Sequence, residues 1–228
     1  MELGHAAELF LWVVVALGGA WIFGTAFGRM RLSRAIDATP TSKVRSMPIG
    51  KVELKGRGQA LGQPIKTPFS AAPCLWYRFT VEVEKPETDS QGRVSMRWST
   101  VDSGESSAPF QLDDGTGCVM VVPEGAEIDA PETYCNTEGA MVAGRIRRTE
   151  WSLDIGSALY ALGVLRAGRE GETPYLGQGR SGEPFLISFR SEAELLKGIW
   201  WGVLGRMLLG ASACIGAIAA AGHQFLGW

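Results

Sequence analysis

The sequence predicts a membrane-anchored, mainly β protein, with a small β-barrel or sandwich domain held between two transmembrane α-helices. Three observations carry this. Both ends are bare of charge: no charged residue lies between Leu9 and Gly28 or after Arg206, and all 22 Lys and Arg fall from Arg29 to Arg206. The middle alternates apolar and polar residues with the period of a strand, and its turns are rich in Gly and Asp. Only two stretches are long enough to cross a bilayer, which argues against both a polytopic channel and a freely soluble globule. About 150 to 160 residues remain between them, enough for one compact domain with a core.

Residues 1–8 read as a short outer tail. Residues 9–28 follow as 20 uncharged, mostly apolar residues, and at ~1.5 Å per residue they reach the ~30 Å of a hydrocarbon core. A cleaved signal peptide is the competing reading. It wants a basic segment before a shorter apolar run, whereas Glu2 and Glu8 precede this one and Arg29, Arg31 and Arg34 follow it. A retained helix is therefore expected. Its small residues Ala16, Ala20, Gly24 and Gly28 recur every fourth position, as do Ser212, Gly216 and Ala220 in the second helix. Such stripes let helices pack together or dimerise in lipid.

Residues 29–190 read as the β-rich domain. Tyr77, Phe79, Val81 and Val83 alternate with Arg78, Thr80, Glu82 and Glu84, the pattern of a strand with one wet face. After a turn-rich stretch from Lys85 to Arg93, Val94, Met96 and Trp98 repeat it, so a long hairpin is expected. A second hairpin runs from Phe110 and Leu112 through Asp113-Asp114-Gly115-Thr116-Gly117 to Cys118–Val122, because Asp-Gly supplies the positive φ angles of a tight turn. Shorter strands are expected at Lys51–Lys55, Ala140–Ile146, Ala158–Val164 and Pro184–Phe189, six to eight in all.

Residues 191–206 read as a juxtamembrane helix. Ser191 and Glu194 fit a capping box, and Trp200 and Trp201 beside Lys197 and Arg206 suit an interfacial belt. Residues 207–227 form the second membrane helix. The basic residues that flank both helices on their inner sides place the domain in a bacterial-type cytoplasm, in an inner membrane, with both termini outside.

Charge is segregated within the domain. Residues 29–97 hold 13 basic and 6 acidic residues, whereas residues 98–144 hold 9 acidic and none basic. Asp113, Asp114, Glu124 and Glu127 of that acidic run, with the basic cluster Arg145, Arg147 and Arg148, make a candidate interaction face. Solvated loops are the simpler reading. The basic cluster with Trp76, Tyr77 and Trp98 is also the material of a single-strand nucleic-acid site. The balanced charge of the domain and its acidic run argue against nucleic acid as a partner; the lipid bilayer and a protein are expected instead.

No catalytic, cofactor or metal site is expected. His5 and His223 lie at the outer ends of the membrane segments, so the domain has no imidazole for a nucleophile–base pair or a metal. Cys74, Cys118, Cys135 and Cys214 are too dispersed for paired ligation. Cys74 is the candidate reactive thiol, although its place at the head of the strongest strand reads more simply as a buried small hydrophobe.

Several segments together resemble a known family. Thr39-Pro40-Thr41-Ser42, Pro48 to Gly56, Pro64 to Ser70 and Pro73-Cys74-Leu75-Trp76-Tyr77 are similar to the GIDE, or BAM ("beside a membrane"), domain. So are Phe110 to Gly117, Val122 to Glu127 and Pro184 to Ser188 with Ser191-Glu192. The resemblance covers roughly 38–200 and the flanking helices. Its best-known members are mitochondrial membrane E3 ubiquitin and SUMO ligases of the MULAN/MAPL type, whose RING finger follows the second helix. A RING holds two zinc ions with four Cys or His ligands each, and this sequence contains 4 Cys and 2 His in all. The resemblance thus implies the membrane-bound, non-catalytic interaction or sensing module of these ligases without their catalytic end. The alternatives are an E3 ubiquitin-protein transferase, or a component acting with a separate RING protein or through Cys74, and a lipid-binding or membrane-organising module.

Overall fold

The computed structural model describes the backbone of residues 2–140, 144–168 and 173–226, and within these every side chain except those of residues 2–12, 16, 26–29, 31, 140, 217, 218 and 220–226. It divides into a helical unit, Met1–Ala38 with Glu192–Trp228, and a β unit, Thr39–Ser191.

The β unit is built from β1 (Gly50–Ala60), β2 (Ile65–Lys66), β3 (Pro73–Cys74), β4 (Trp76–Thr88), β5 (Val94–Glu105), β6 (Phe110–Asp113), β7 (Cys118–Val121), β8 (Glu127–Asp129), β9 (Glu132–Ala140), β10 (Gly144–Leu153), β11 (Ala158–Arg166), β12 (Tyr175–Gly177) and β13 (Leu186–Ser188). β1 changes partner along its length. Gly50–Arg57 pair with β11, and Arg57–Ala60 pair with β6. β6 continues into β7, β7 runs parallel with β12, and β12 returns to β11, so five strands close into a barrel. Closure removes the free sheet edges that would otherwise template aggregation. β13 and then β8 extend the barrel sheet beyond β11.

Gly58 sits where β1 turns from one partner to the other. A Cβ there would collide with the side chains of Leu75 and Leu159, so any larger residue would force these two buried leucines to shift. That core holds Val52 and Leu54 of β1, Leu112 of β6, Val121 of β7 and Leu176 of β12, all buried. Trp76 and Leu153 join it from the barrel ends of β4 and β10. From these roots a second, four-stranded antiparallel sheet extends, in the order β5-β4-β10-β9.

Both expected hairpins form. β4 and β5 pair from Arg78↔Glu105 to Thr88↔Val94, leaving a shorter turn than the expected Lys85–Arg93 because the strands continue to its tip. β6 and β7 pair around the Asp-Gly turn. Of the strand expected at Ala140–Ile146, Ala140 ends β9 and Gly144–Ile146 open β10, so two strands meet the segment where one was expected; residues 141–143 lie outside the described residues. The expectation of one wet face on β4 is also corrected. Glu84 on that face is buried, because Arg145 reaches across to pair with it.

The helical unit contains α1 (Glu2–Asp37) and α2 (Glu192–Leu226). Each helix outruns its apolar stretch. Nothing in Arg29–Asp37 breaks a helix until Thr39-Pro40, and α2 passes without interruption through the juxtamembrane and apolar segments. The two helices pack together, but not along the expected stripes. Gly24 and Gly216 have open space around them, whereas a Cβ on Gly19 would lie 2.9 Å from the Gly210 carbonyl oxygen and one on Gly210 would lie 2.7 Å from that of Gly19. The contact therefore falls on a neighbouring face of each helix. Ala16, Gly28 and Ala220 lie outside the described side chains.

Over Glu192–Gly216, α2 is long and apolar enough to cross a membrane, with a mean hydropathy of 1.3. α1 contributes the shorter apolar stretch Val13–Thr25.

Candidate functional site

Asp113 and Asp114 organise the β6–β7 turn. Asp113 accepts the Gly115 N–H at 2.8 Å and the Gln59 side-chain amide at 2.9 Å. Asp114 accepts the Thr116 hydroxyl at 2.6 Å, the Thr116 N–H at 2.8 Å and the Val44 N–H at 3.0 Å, which ties the segment entering the barrel to the turn. Burial pushes the Asp114 carboxyl up, but the Thr116 hydroxyl, the two N–H donors and Lys43 outweigh it and hold the group at about 2. The pair is thus a structural clasp that holds its own loop and ties it to Val44 and Gln59. Glu124, in the following turn, and Glu127, at the start of β8, are exposed.

The basic cluster lies on β10, in the other sheet. Arg145 grips Glu84 in a bidentate pair at 2.6 and 2.7 Å, Arg147 meets Glu82 at 2.8 Å, and Arg148 meets Glu138 at 3.0 Å. The hydrogen bonds from Arg145 draw the Glu84 carboxyl below its ordinary range. The Arg145 and Arg147 guanidiniums also lie 5.5 and 4.6 Å from the centre of the Trp98 ring, on β5, the strand beyond β4. These arginines brace the four-stranded sheet. Trp76 is buried at the barrel core, so it presents no face on which a base would stack.

Cys74 is buried at 1 % exposure. Burial, with the Asp154 and Glu150 charges nearby, pushes its thiol up to about 11, so almost none is thiolate at neutral pH. Cys118 and Cys135 are exposed. Among the described residues no cluster of His, Cys, Asp or Glu has the arrangement of a metal site.

Two buried carboxylates escape the sequence reading. Glu53 on β1 accepts the Thr41 hydroxyl at 2.6 Å and the Tyr160 hydroxyl at 2.9 Å and pairs with Lys55 at 3.2 Å. Glu150 on β10 accepts the Phe69 N–H, the Ser70 N–H at 3.2 Å and the Ser70 hydroxyl at 2.6 Å. It thereby holds the loop between β2 and β3 over the sheet, where Phe69 packs edge-on against Phe79. Neither carboxylate breaks the apolar alternation in a way that marks it as buried. The available signal was Tyr160 and Ser70, polar groups in otherwise apolar or turn segments.

A cavity of about 280 Å³ opens between the β10–β11 turn and the chain after β13. Leu153, Ala158, Pro131 and Phe189 wall it, and Ser152, Asp154 and Ser157 supply its polar groups.

The family model described as GIDE, E3 ubiquitin ligase, matches residues 80–221, from β4 through most of α2. That is more than half of the 228 residues. The chain belongs to the GIDE family. Among curated proteins and among solved structures, none matches it. The GIDE match spans the whole four-stranded sheet except the start of β4, most of the barrel, and the apolar helix α2. With the length of that helix, it points to membrane association. Trp200 and Trp201, expected at the membrane interface, lie on α2 at 57 % and 66 % exposure, and Lys197 is exposed beside them. Arg206 is half-buried on α2 and Arg34 is exposed near the end of α1. Arg29 and Arg31 lie outside the described side chains.

Proposed function

We propose that the protein is a membrane-anchored, non-catalytic interaction module that presents a GIDE β unit beside a bilayer. The observation that carries this is the distribution of exposed apolar side chains. Leu17, Trp21, Trp201, Leu208, Leu209 and Ile215 on the two helices are each between 63 % and 73 % exposed, a surface that in water would be an aggregation hazard and in lipid is the expected covering. α1 is read as a second span alongside α2. The flanking Arg29, Arg31, Arg34, Lys43 and Arg45 favour a cytoplasmic β unit in a bacterial inner membrane.

The non-catalytic reading rests on the state of the chemical groups. Cys74, the candidate reactive thiol, is buried and protonated, and the two fully buried carboxylates are consumed by structural donors. The family description favours one rival, a component of ubiquitin transfer. Purified full-length protein in nanodiscs, incubated with E1, a panel of E2 enzymes, ATP and ubiquitin, separates them. No conjugate above a control lacking the chain is expected; chain-dependent conjugates would establish the rival, and their loss in Cys74→Ala would assign them to the thiol.

A further inference from the structure

Building on that reading, we propose that the cavity between the β10–β11 turn and Phe189 receives a basic side chain, Lys or Arg, from an extended peptide segment of a partner. Its volume of about 280 Å³ lies just below the roughly 300–1,000 Å³ of sites that enclose a drug-sized ligand. It has room for one long side chain and not for a nucleotide. The walls are those an aliphatic stem wants: Leu153, Ala158, Pro131 and the ring of Phe189. Asp154, an exposed residue, stands among the lining side chains.

The carboxylate is open to a partner. No ion pair among the described residues engages Asp154. Arg57, the basic side chain that reaches this turn, donates instead to the Gly156 carbonyl at 3.0 Å. Arg190, stacked on Phe189 at 5.3 Å, is paired with Asp129 at 3.2 Å. The two serine hydroxyls already have partners: Ser157 donates to the Asp154 carbonyl and Ser152 to Thr133. The free acceptor is therefore anionic, and a cation complements it. Negative potential extends into the protein, since Asp154 and Glu150 both raise the Cys74 thiol. Phe189 in the wall is 38 % exposed and Ile155, next to Asp154 in the chain, is 42 % exposed, so apolar surface is available to residues beside the basic one. An extended peptide with an apolar–basic–apolar order fits this arrangement, whereas an acidic one does not.

The test uses full-length protein in uncharged phosphatidylcholine nanodiscs and fluorescein-labelled Gly-Leu-Lys-Leu-Gly, read by fluorescence anisotropy. The Lys peptide and its Arg counterpart are expected to bind, and versions with norleucine or Glu at the central position to bind about three- to tenfold more weakly or not at all. Asp154→Asn, on an exposed turn, should abolish the preference while leaving the circular dichroism spectrum unchanged. Ala158→Trp, which fills the cavity, should abolish binding of all four peptides. Equal binding of the Lys and norleucine peptides, absence of binding by every peptide, or a preference that survives Asp154→Asn would each overturn the proposal. Those outcomes leave the non-catalytic reading standing, because that reading fails only on ubiquitin conjugation.

Discussion

Glu53 and Glu150 have almost no contact with water; Glu53 is held by the Thr41 and Tyr160 hydroxyls and Lys55, and Glu150 by the Phe69 and Ser70 N–H groups and the Ser70 hydroxyl. Tyr160 is the clearest probe of such an arrangement, because its hydroxyl lies 2.9 Å from Glu53 inside the protein. Hydrogen bonds to charged groups contribute about 1.5–3 kcal/mol, so Tyr160→Phe is expected to lower stability by that amount in chemical denaturation. A loss below about half a kcal/mol would mean that water replaces the phenol. Asp114 makes a pH-dependent prediction. Its carboxyl lies at about 2 in the folded chain against an ordinary 3.8, so the stability it confers is fully present above pH 4 and fades as pH falls through about 2. Asp114→Asn should be less stable than the parent at pH 7, and the gap should close across that window in thermal melts. The turn chemistry of Asp113–Gly117 is legible from the residues alone. That Asp114 also ties down Val44, seventy positions earlier, is not, because such a contact depends on the closed barrel.

Elements with a strong local signal were the ones that sequence patterning placed well. The β4–β5 and β6–β7 hairpins carry alternating apolar residues and an Asp-Gly or Gln-Gly turn, and both form in the expected places. β9, Glu132–Ala140, is legible in neither way: its Thr, Tyr, Cys and Asn leave no apolar stripe, and its place at the sheet edge needs none. In the helices, spacing alone was misleading, because Gly and Ala recur on more than one face and the packed pair, Gly19 and Gly210, lies off the regular stripes. A direct check exists. The Cβ of a cysteine at position 19 would lie 3.0 Å from the Cys214 sulfur, a separation that suits a disulfide. Gly19→Cys is therefore expected to form an intramolecular bond with Cys214 on mild oxidation, seen as faster migration on a non-reducing gel. Gly24→Cys, which faces open space, should not. Equal cross-linking of both variants would contradict the helix contact.

At the scale of the whole molecule, the division into bare ends and a charged middle corresponds to two structural units, one helical and one β. The mainly β class was legible, because short strands with Gly-rich turns bury their faces as a small barrel or a sandwich, but the choice of a barrel was not. The closure through the parallel pair β7–β12 was not, since β12 is only Tyr175–Gly177 and carries no pattern of its own. The candidate interaction residues divide between the two sheets. Asp113 and Asp114 lie on the barrel, and Arg145, Arg147 and Arg148 lie on the four-stranded sheet, already paired. The cavity beside Asp154 was invisible in the sequence, because its walls come from three separate stretches.

The central claim, a β unit displayed at a membrane surface by its helices, is most directly tested with the exposed thiols Cys118 and Cys135. Full-length protein is expressed in bacterial cells, the membranes are washed with alkaline carbonate, and a membrane-impermeant maleimide is applied to cells before and after permeabilisation. The account predicts a chain that stays in the carbonate-resistant pellet and is labelled only after permeabilisation. Release of the chain into the carbonate supernatant, or labelling of Cys118 and Cys135 in intact cells, would contradict it.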